Sequence, residues 1–282
     1  MNRREILKQL SVIPLIGTTM TPDLLASRSI SSRSTSLKDK EKENIYRSIG
    51  VEPVINCRGT FTIIGGSIER PEVHEAMQAA SGHFAQYDEL AYGIGQRLAE
   101  LTKTEFGVVT AGCAAAMKHF TAACVTGGNP EKLIRIPHLE GMEKTEVICP
   151  RYSRNVYDHA VRNIGVKLIT VDTPEEMRKA ISERTAMVYV LAGKQSQPGE
   201  PFSLEVIAEI CKPLDIPILI DAAAEDLTIP PVHLAQGATV VAYSGGKAIC
   251  GPQCAGLLPV SYTHLRAHET ASFISYAVFC LK

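Results

Sequence analysis

Six short apolar runs set the limits on what this chain can fold into: 107–110 (GVVT), 146–149 (EVIC), 166–171 (VKLITV), 186–192 (AMVYVLA), 216–221 (IPILID) and 238–243 (ATVVAY). Stretches with helical spacing of apolar residues lie before and between them, at 72–81, 88–102, 113–126, 154–164, 174–183 and 203–213. Short β-rich runs separated by helical segments make βαβ units, and such units assemble a mostly parallel sheet with helices on both faces. The expected fold class is therefore α/β, without internal repeats. In such sheets ligands sit beyond the carboxyl ends of the strands, so the residues just after each run carry the functional information.

Composition narrows the function classes. Of 282 residues, 45% are hydrophobic, enough for one sizeable core. Lys and Arg number 29 against 30 Asp and Glu, a balance that gives no electrostatic footprint for nucleic acid. No apolar run approaches the length of about 18 residues that a membrane span needs. The eight cysteines form no CxxC pair and match no zinc spacing, so no metal site is expected. They read as small buried hydrophobes of a reducing compartment.

Three strand ends carry chemistry. Asp221 closes the run IPILID and opens the segment DAAAE. An acid there is costly without a partner, and its alternative role is to cap a following helix. Ser244-Gly245-Gly246-Lys247 follows ATVVAY. Glycines allow a sharp turn or close approach, and a lysine at such a sheet edge is either a partly desolvated nucleophile or an ordinary surface cation. The third strand end, Thr110 to Ala116, joins GVVT to an Ala-rich helix. Small residues there suit either an anion at the helix start or close helix–sheet packing, and the pattern is neither G-x-G-x-x-G nor a P-loop.

Taken in chain order, the cradle, the strand-end acid and the glycine-turn lysine resemble the layout of fold-type-I pyridoxal-phosphate enzymes. DAAAE with YSGGKAICGPQCAGLL looks like their selenocysteine-synthase-like branch. VINCRGTFTIIGGSIERPEV, YDELAYGIGQRLAELTKTEFGVVTAGCAAAM and TGGNPEKLIRIP are similar to the D-glucosaminate-6-phosphate ammonia-lyase-like subgroup, the match running over residues 48–258. The resemblance implies a large cofactor-binding domain at 47–259, incomplete here, whose small C-terminal partner domain is expected to be missing by truncation. It implies that Lys247 carries pyridoxal 5'-phosphate covalently, that Asp221 pairs with the pyridinium nitrogen, and that Gly112, Cys113, Ala114 and Ser244 hold the phosphate. Cys57, Cys113 and Cys254 depart from the small or hydroxyl residues expected at their positions, which puts the phosphate contacts of Cys113 in question.

Further candidates come from the other strand ends. After EVIC, one of Arg154, Tyr157 and His159 is expected at the cofactor: Tyr157 or His159 over the ring, Arg154 on a substrate carboxylate or phosphate. The alternative is a helix-opening surface loop. Ser196, after AMVYVLA, is a candidate partner of the cofactor, and Asn56 and Arg58 in the leading segment are candidates for substrate. The expected reaction is elimination and deamination of an amino acid or 2-amino sugar acid, giving a 2-oxo acid and ammonia, in a homodimer. Two alternatives stand beside it: a selenium transferase acting on seryl-tRNA, disfavoured by the balanced charge, and a non-catalytic relative, disfavoured by the joint presence of Lys247 and Asp221.

Both ends read as separate from the fold. Residues 1–26 resemble a twin-arginine export signal, from Arg3-Arg4 followed by Ile6-Leu7-Lys8, which implies a periplasmic protein; a short amphipathic tail on a cytoplasmic protein is the alternative. Residues 27–46 are Ser- and charge-rich and read as linker. Residues 260–282 resemble translated sequencing adapter, so the coding sequence is expected to be interrupted near Pro259, and His264, His268 and Cys280 are not ligand candidates.

Overall fold

A computed structural model describes residues 44–261, so the export-signal segment, most of the linker and residues 262–282 lie outside the described chain. The described residues divide into two compact units at Ile55/Asn56. The first contains a single 3-10 turn, Arg47–Ile49, with Arg47 paired to Glu52 at 3.1 Å. The second is the α/β domain.

Its seven strands are β1 (Phe106–Thr110), β2 (Glu146–Pro150), β3 (Lys167–Val171), β4 (Thr185–Leu191), β5 (Ile218–Asp221), β6 (Val240–Ser244) and β7 (Gly256–Val260). They form one sheet in the order β1-β7-β6-β5-β4-β2-β3. Strands β2 to β6 run parallel to one another, and β7 runs antiparallel between β1 and β6. The helices are α1 (Pro71–Ser81), α2 (Tyr87–Thr102), α3 (Cys113–Thr126), α4 (Pro130–Leu133), α5 (His159–Arg162), α6 (Pro174–Ala180), α7 (Leu204–Cys211) and α8 (Val232–Ala235).

The central strands are apolar throughout because they are buried on both faces. Successive residues feed opposite cores, as the two-residue period of a strand requires. Met187 and Tyr189 of β4, Leu219 of β5 and Val240 of β6 join Met117, Phe120 and Val161 on one face. Val188, Ile220 and Val241 join Met177, Leu204 and Ile207 on the other. Asp221, two residues after Leu219, therefore shares the face on which α3 packs. Burying a side chain such as Phe120 or Leu204 contributes about 1.5–3 kcal/mol, so each face has ample material to hold the strand ends in place.

Three sequence expectations need correction. The helix expected over 154–164 is a 3-10 turn, Val156–Asp158, followed by the short α5. Asn155 caps the turn by accepting from Tyr157 N, and Asp158 is drawn inward between Arg154 and Arg162. Strand β7 was not foreseen, because GLLPV carries a glycine and a proline and little β-branching. The cysteines are not uniformly buried: Cys113, Cys149 and Cys211 are, whereas Cys57 and Cys254 are exposed. Among the described residues no helix is long and apolar enough to cross a membrane, and no His/Cys/Asp/Glu cluster could hold a metal ion.

Candidate active site

The lysine turn is held by backbone on three sides. Gly245 N donates to Ala255 O at 2.8 Å, Gly251 N to Gly245 O at 2.7 Å and Cys250 N to Lys247 O at 3.0 Å. Ser67, from the leading segment, donates to Gly246 O through both its N, at 2.9 Å, and its Oγ, at 3.0 Å. The glycines are required by this crowding rather than by an unusual turn. A Cβ on Gly246 would lie 2.3 Å from Gln253 Cα, and one on Gly245 2.9 Å from Ala255 Cβ. The result is a rigid platform from which Lys247 projects.

Asp221 stands at the end of β5 and is 3% exposed. Ala223 N donates to Oδ1 at 3.1 Å, the Cys113 thiol to the same oxygen at 3.6 Å, and the Tyr189 hydroxyl to Oδ2 at 3.2 Å. Burial pushes the Asp221 carboxyl above the ordinary carboxylate range, while those three donors and the nearby Lys247 charge pull it back only in part. No ion pair to Asp221 exists among the described residues. It is a buried acid with hydrogen bonds but without a counter-ion.

The third element is the turn into α3. Gly112 has φ 92° and ψ 163°, a conformation reserved for glycine. Thr110 Oγ1 donates to Gly112 O at 2.9 Å. The start of the 14-residue α3 leaves N–H groups at Cys113 and Ala114 free for an anion, and the helix dipole favours negative charge there. Strand β7 backs this turn closely: a Cβ on Gly256 would sit 2.4 Å from the Gly112 carbonyl carbon and 2.6 Å from Thr110 Oγ1. Gly256→Ala is therefore expected to push the turn outward, costing about 1–3 kcal/mol of stability and weakening the anion site. Urea melts with and without inorganic phosphate check this: the variant should melt earlier and gain less from phosphate than the parent.

These elements meet around a cavity of about 160 Å³ whose lining includes Gly112, Cys113, Ala114, Tyr157, Asp221, Ser244 and Lys247. Lys247 Nζ lies 5.7 Å from the centroid of the Tyr157 ring. Thr62, Met117, Ala223 and Gln253 also line the cavity and were missed by the sequence reading. Thr62 Oγ1 accepts from the Tyr157 hydroxyl at 3.5 Å. Nothing local marks Thr62 or Gln253, since both are polar and exposed; only the Gly65-Gly66 pair hinted that backbone would crowd nearby. The Cys113 thiol points at Asp221 and at Ala242 O, so its side chain is no phosphate ligand. Burial, then the Asp221 charge, raise it well above the usual thiol range, so it remains a protonated donor.

Five candidates stand elsewhere. His159 is exposed at the start of α5, just past the 3-10 turn that carries Tyr157, and does not line the cavity. Ser196 closes its own turn, accepting from Gly193 N at 3.0 Å and donating to Gly193 O at 2.9 Å. Arg154 is committed to the buried Asp158 and to Thr170. Asn56 folds its amide onto Gly59 O and Arg58 N, both at 2.9 Å. Arg58 lies over the Phe61 ring at 5.0 Å, in the same local loop.

A seven-stranded sheet with one antiparallel strand, an anion-binding helix start, a counter-ion-free acid at one strand end and a lysine after the next strand define a class. This is the fold of the fold-type-I pyridoxal-phosphate-dependent enzymes. Within that class it is similar to D-glucosaminate-6-phosphate ammonia lyase from Salmonella typhimurium (strain 14028s / SGSC 2262), being 31% identical over 220 residues, 74% of this chain and 58% of that protein. It is 28% identical over 218 residues to a 5'-C-glycyluridine monooxygenase-decarboxylase of a Streptomyces species, covering 73% of this chain and 54% of that protein. The chain thus spans little more than half the length of the curated relatives it matches. A solved structure of D-glucosaminate-6-phosphate ammonia-lyase superposes with a TM-score of 0.72 at 25% identity, over 85% of this chain and 70% of that one. The SepCysS–SepCysE N-terminal domain complex, at 12% identity and TM-score 0.53 over 84% of this chain and 69% of that one, shares the fold alone. No family model matches the chain.

Proposed function

We propose that this chain is the cofactor-holding domain of a lyase that removes ammonia from an amino acid or 2-amino sugar acid bearing a β-hydroxyl, leaving a 2-oxo acid. The observation that carries the reading is Asp221, an acid 3% exposed with no counter-ion among the described residues, in the wall of a cavity that Lys247 also lines. A protonated ring nitrogen is the partner that such an acid lacks, and pyridoxal phosphate brings one. The donor set fits at the other positions too: an amine for the aldehyde, helix N–H groups for the phosphate, and an aromatic ring beside the amine.

Bound pyridoxal phosphate supplies an electron sink that makes the α-proton of a substrate amine acidic. Asp221 would hold a proton on the ring nitrogen. The N–H groups of Cys113 and Ala114, with the Ser244 hydroxyl, would hold the phosphate, while Gly112, whose own N–H is spent on Thr110 O at 2.8 Å, shapes the turn. Tyr157 covers the side of the cavity next to Lys247. Lys247 would hold the cofactor's aldehyde and, as a free amine lining the same cavity, would serve as the base for the α-proton. Over the whole reaction the α-proton and the β-hydroxyl leave as water, the β-carbon takes up a proton, and a second water hydrolyses the released imine, which forms the carbonyl at the α-carbon and frees ammonia.

The test uses the full-length protein loaded with pyridoxal phosphate. Borohydride reduction followed by peptide mapping should place the reduced adduct on the Lys247 peptide. Ammonia should be released from 2-amino sugar acids, offered with and without a phosphate group. An adduct on Lys247 with no ammonia from any such substrate would remove the lyase and leave only the cofactor site. The same reading carries the expectations of a homodimer and, from Arg3-Arg4, of export. Light scattering that returns a monomer, or a reporter fusion retained in the cytoplasm, would remove the respective one.

A further inference from the structure

We propose that Asn155 and Tyr189 are positioning residues that tie the buried acid at one end of the cavity to the aromatic wall beside Lys247. The inference rests on the reading of the cavity as a pyridoxal-phosphate site, and it concerns two residues that reading does not use. Tyr189 lies in β4 and is 0% exposed. Strand register sets Leu191 opposite Asp221, so Tyr189 is the diagonal neighbour of the acid on the same sheet face.

The direction of each hydrogen bond along this path is fixed. The Tyr189 hydroxyl has one proton and two neighbours, Asp221 Oδ2 at 3.2 Å and Asn155 Nδ2 at 3.1 Å. Asn155 Nδ2 is a donor, so the phenol proton must point at Asp221. The orientation of the Asn155 amide is itself determined, because Nδ2 also donates to Ser153 O at 3.0 Å while Oδ1 accepts from Tyr157 N at 2.7 Å. A flipped amide would set donor against donor at Tyr157. One side chain therefore fixes both the phenol that donates to Asp221 and the turn that carries the Tyr157 ring.

The physical effect on the acid is specific. Hydrogen bonds to the charged form of a carboxyl favour that form, whereas burial favours the neutral one. Burial also pushes the Tyr189 phenol far above its ordinary range, so it stays a donor. Without that donor Asp221 would more readily keep its own proton and would be a poorer partner for a cationic ring nitrogen. The same network keeps the Tyr157 turn in register with the acid.

Two variants of the full-length protein separate this role from packing. Tyr189→Phe removes only the hydroxyl. Asn155→Asp keeps the acceptor for Tyr157 N but replaces the donor facing Tyr189 by an oxygen that competes with Asp221 for the phenol proton. In both, the dissociation constant for pyridoxal phosphate, read by titrating cofactor-free protein, should rise roughly tenfold or more, the scale of a hydrogen bond to a charged group. The pH midpoint of the visible cofactor band should also move, while borohydride still traps an adduct on the Lys247 peptide. The double variant should fall short of the product of the two single effects, because both changes weaken the same donation to Asp221. Unchanged affinity and midpoint in both variants, or effects that multiply in the double variant, would overturn the inference. A residue that only packs would lower the melting temperature without moving the band. Should Tyr189→Phe fail to fold, Asn155→Asp, at a partly exposed position, carries the test alone. A wild-type protein without any adduct would instead overturn the underlying site reading, so the two failures are distinguishable.

Discussion

Replacing Lys247 with alanine is expected to abolish the trapped cofactor adduct and to lower turnover on the order of 10²–10⁴-fold or more, the range attributed to a positioned acid–base group. Lys247 follows two glycines whose backbone is packed against Gln253 and Ala255, and its amine faces the cavity beside Tyr157. Water can enter the space that the alanine leaves, but water cannot hold the aldehyde carbon. Added methylamine provides the sharper form of the test. A free amine that fits the gap should restore part of the turnover, and restoration should not require any change in melting temperature. Wild-type turnover in the alanine variant would remove Lys247 from the chemistry.

Asp221→Asn is expected to move activity and stability in opposite directions. The asparagine is nearly isosteric and can keep an oxygen for Ala223 N while its amide nitrogen faces the Tyr189 hydroxyl, but it cannot balance a cationic ring nitrogen. Loss of one preorganised electrostatic partner costs about 10²–10³-fold in rate. Stability follows from the same burial. The folded-state carboxyl is raised above its unfolded value, chiefly because it is buried. Such a group contributes stability that is fully present below the ordinary carboxylate range and is lost as pH rises through the raised folded value. In cofactor-free protein at neutral pH, Asp221 is therefore a liability that asparagine removes. The variant should melt higher than the parent at neutral and alkaline pH, with the gap closing towards acid. Melting curves of cofactor-free protein across pH check the sign, and a gap that widens towards acid would contradict it.

The parts of the fold that the sequence displayed are those where burial is two-sided. IPILID and ATVVAY are continuous apolar runs because β5 and β6 are covered on both faces, and an acid or a glycine-lysine turn at the end of such a run stands out. Strand β7 escaped because GLLPV offers no such run; it is held by pairing with β1 and β6, a contact between distant parts of the chain. Tyr189 was hidden for another reason. Inside AMVYVLA it reads as one more core residue, and only the register of β4 on β5 shows its hydroxyl meeting Asp221. His159 and Tyr157 could not be ranked from sequence, because a helix through 154–164 was expected where a capped 3-10 turn stands. Thr62 and Gln253, far apart in the chain, reach the cavity only through the packing of the leading segment on the lysine turn.

The antiparallel strand also imposes an order of events during synthesis. Among the described residues β1 pairs with β7 and with no other strand, although β1 is made first and β7 last. As the ribosome releases the chain, β2 to β6 can zip together while β1 waits at an unfilled edge. Only when Gly256–Val260 emerges can the early strand join and the Gly112 bend acquire its backing. The Gly112 turn therefore takes its backing from a strand that follows Lys247 in the chain, which ties the two ends of the cavity to one late-made segment.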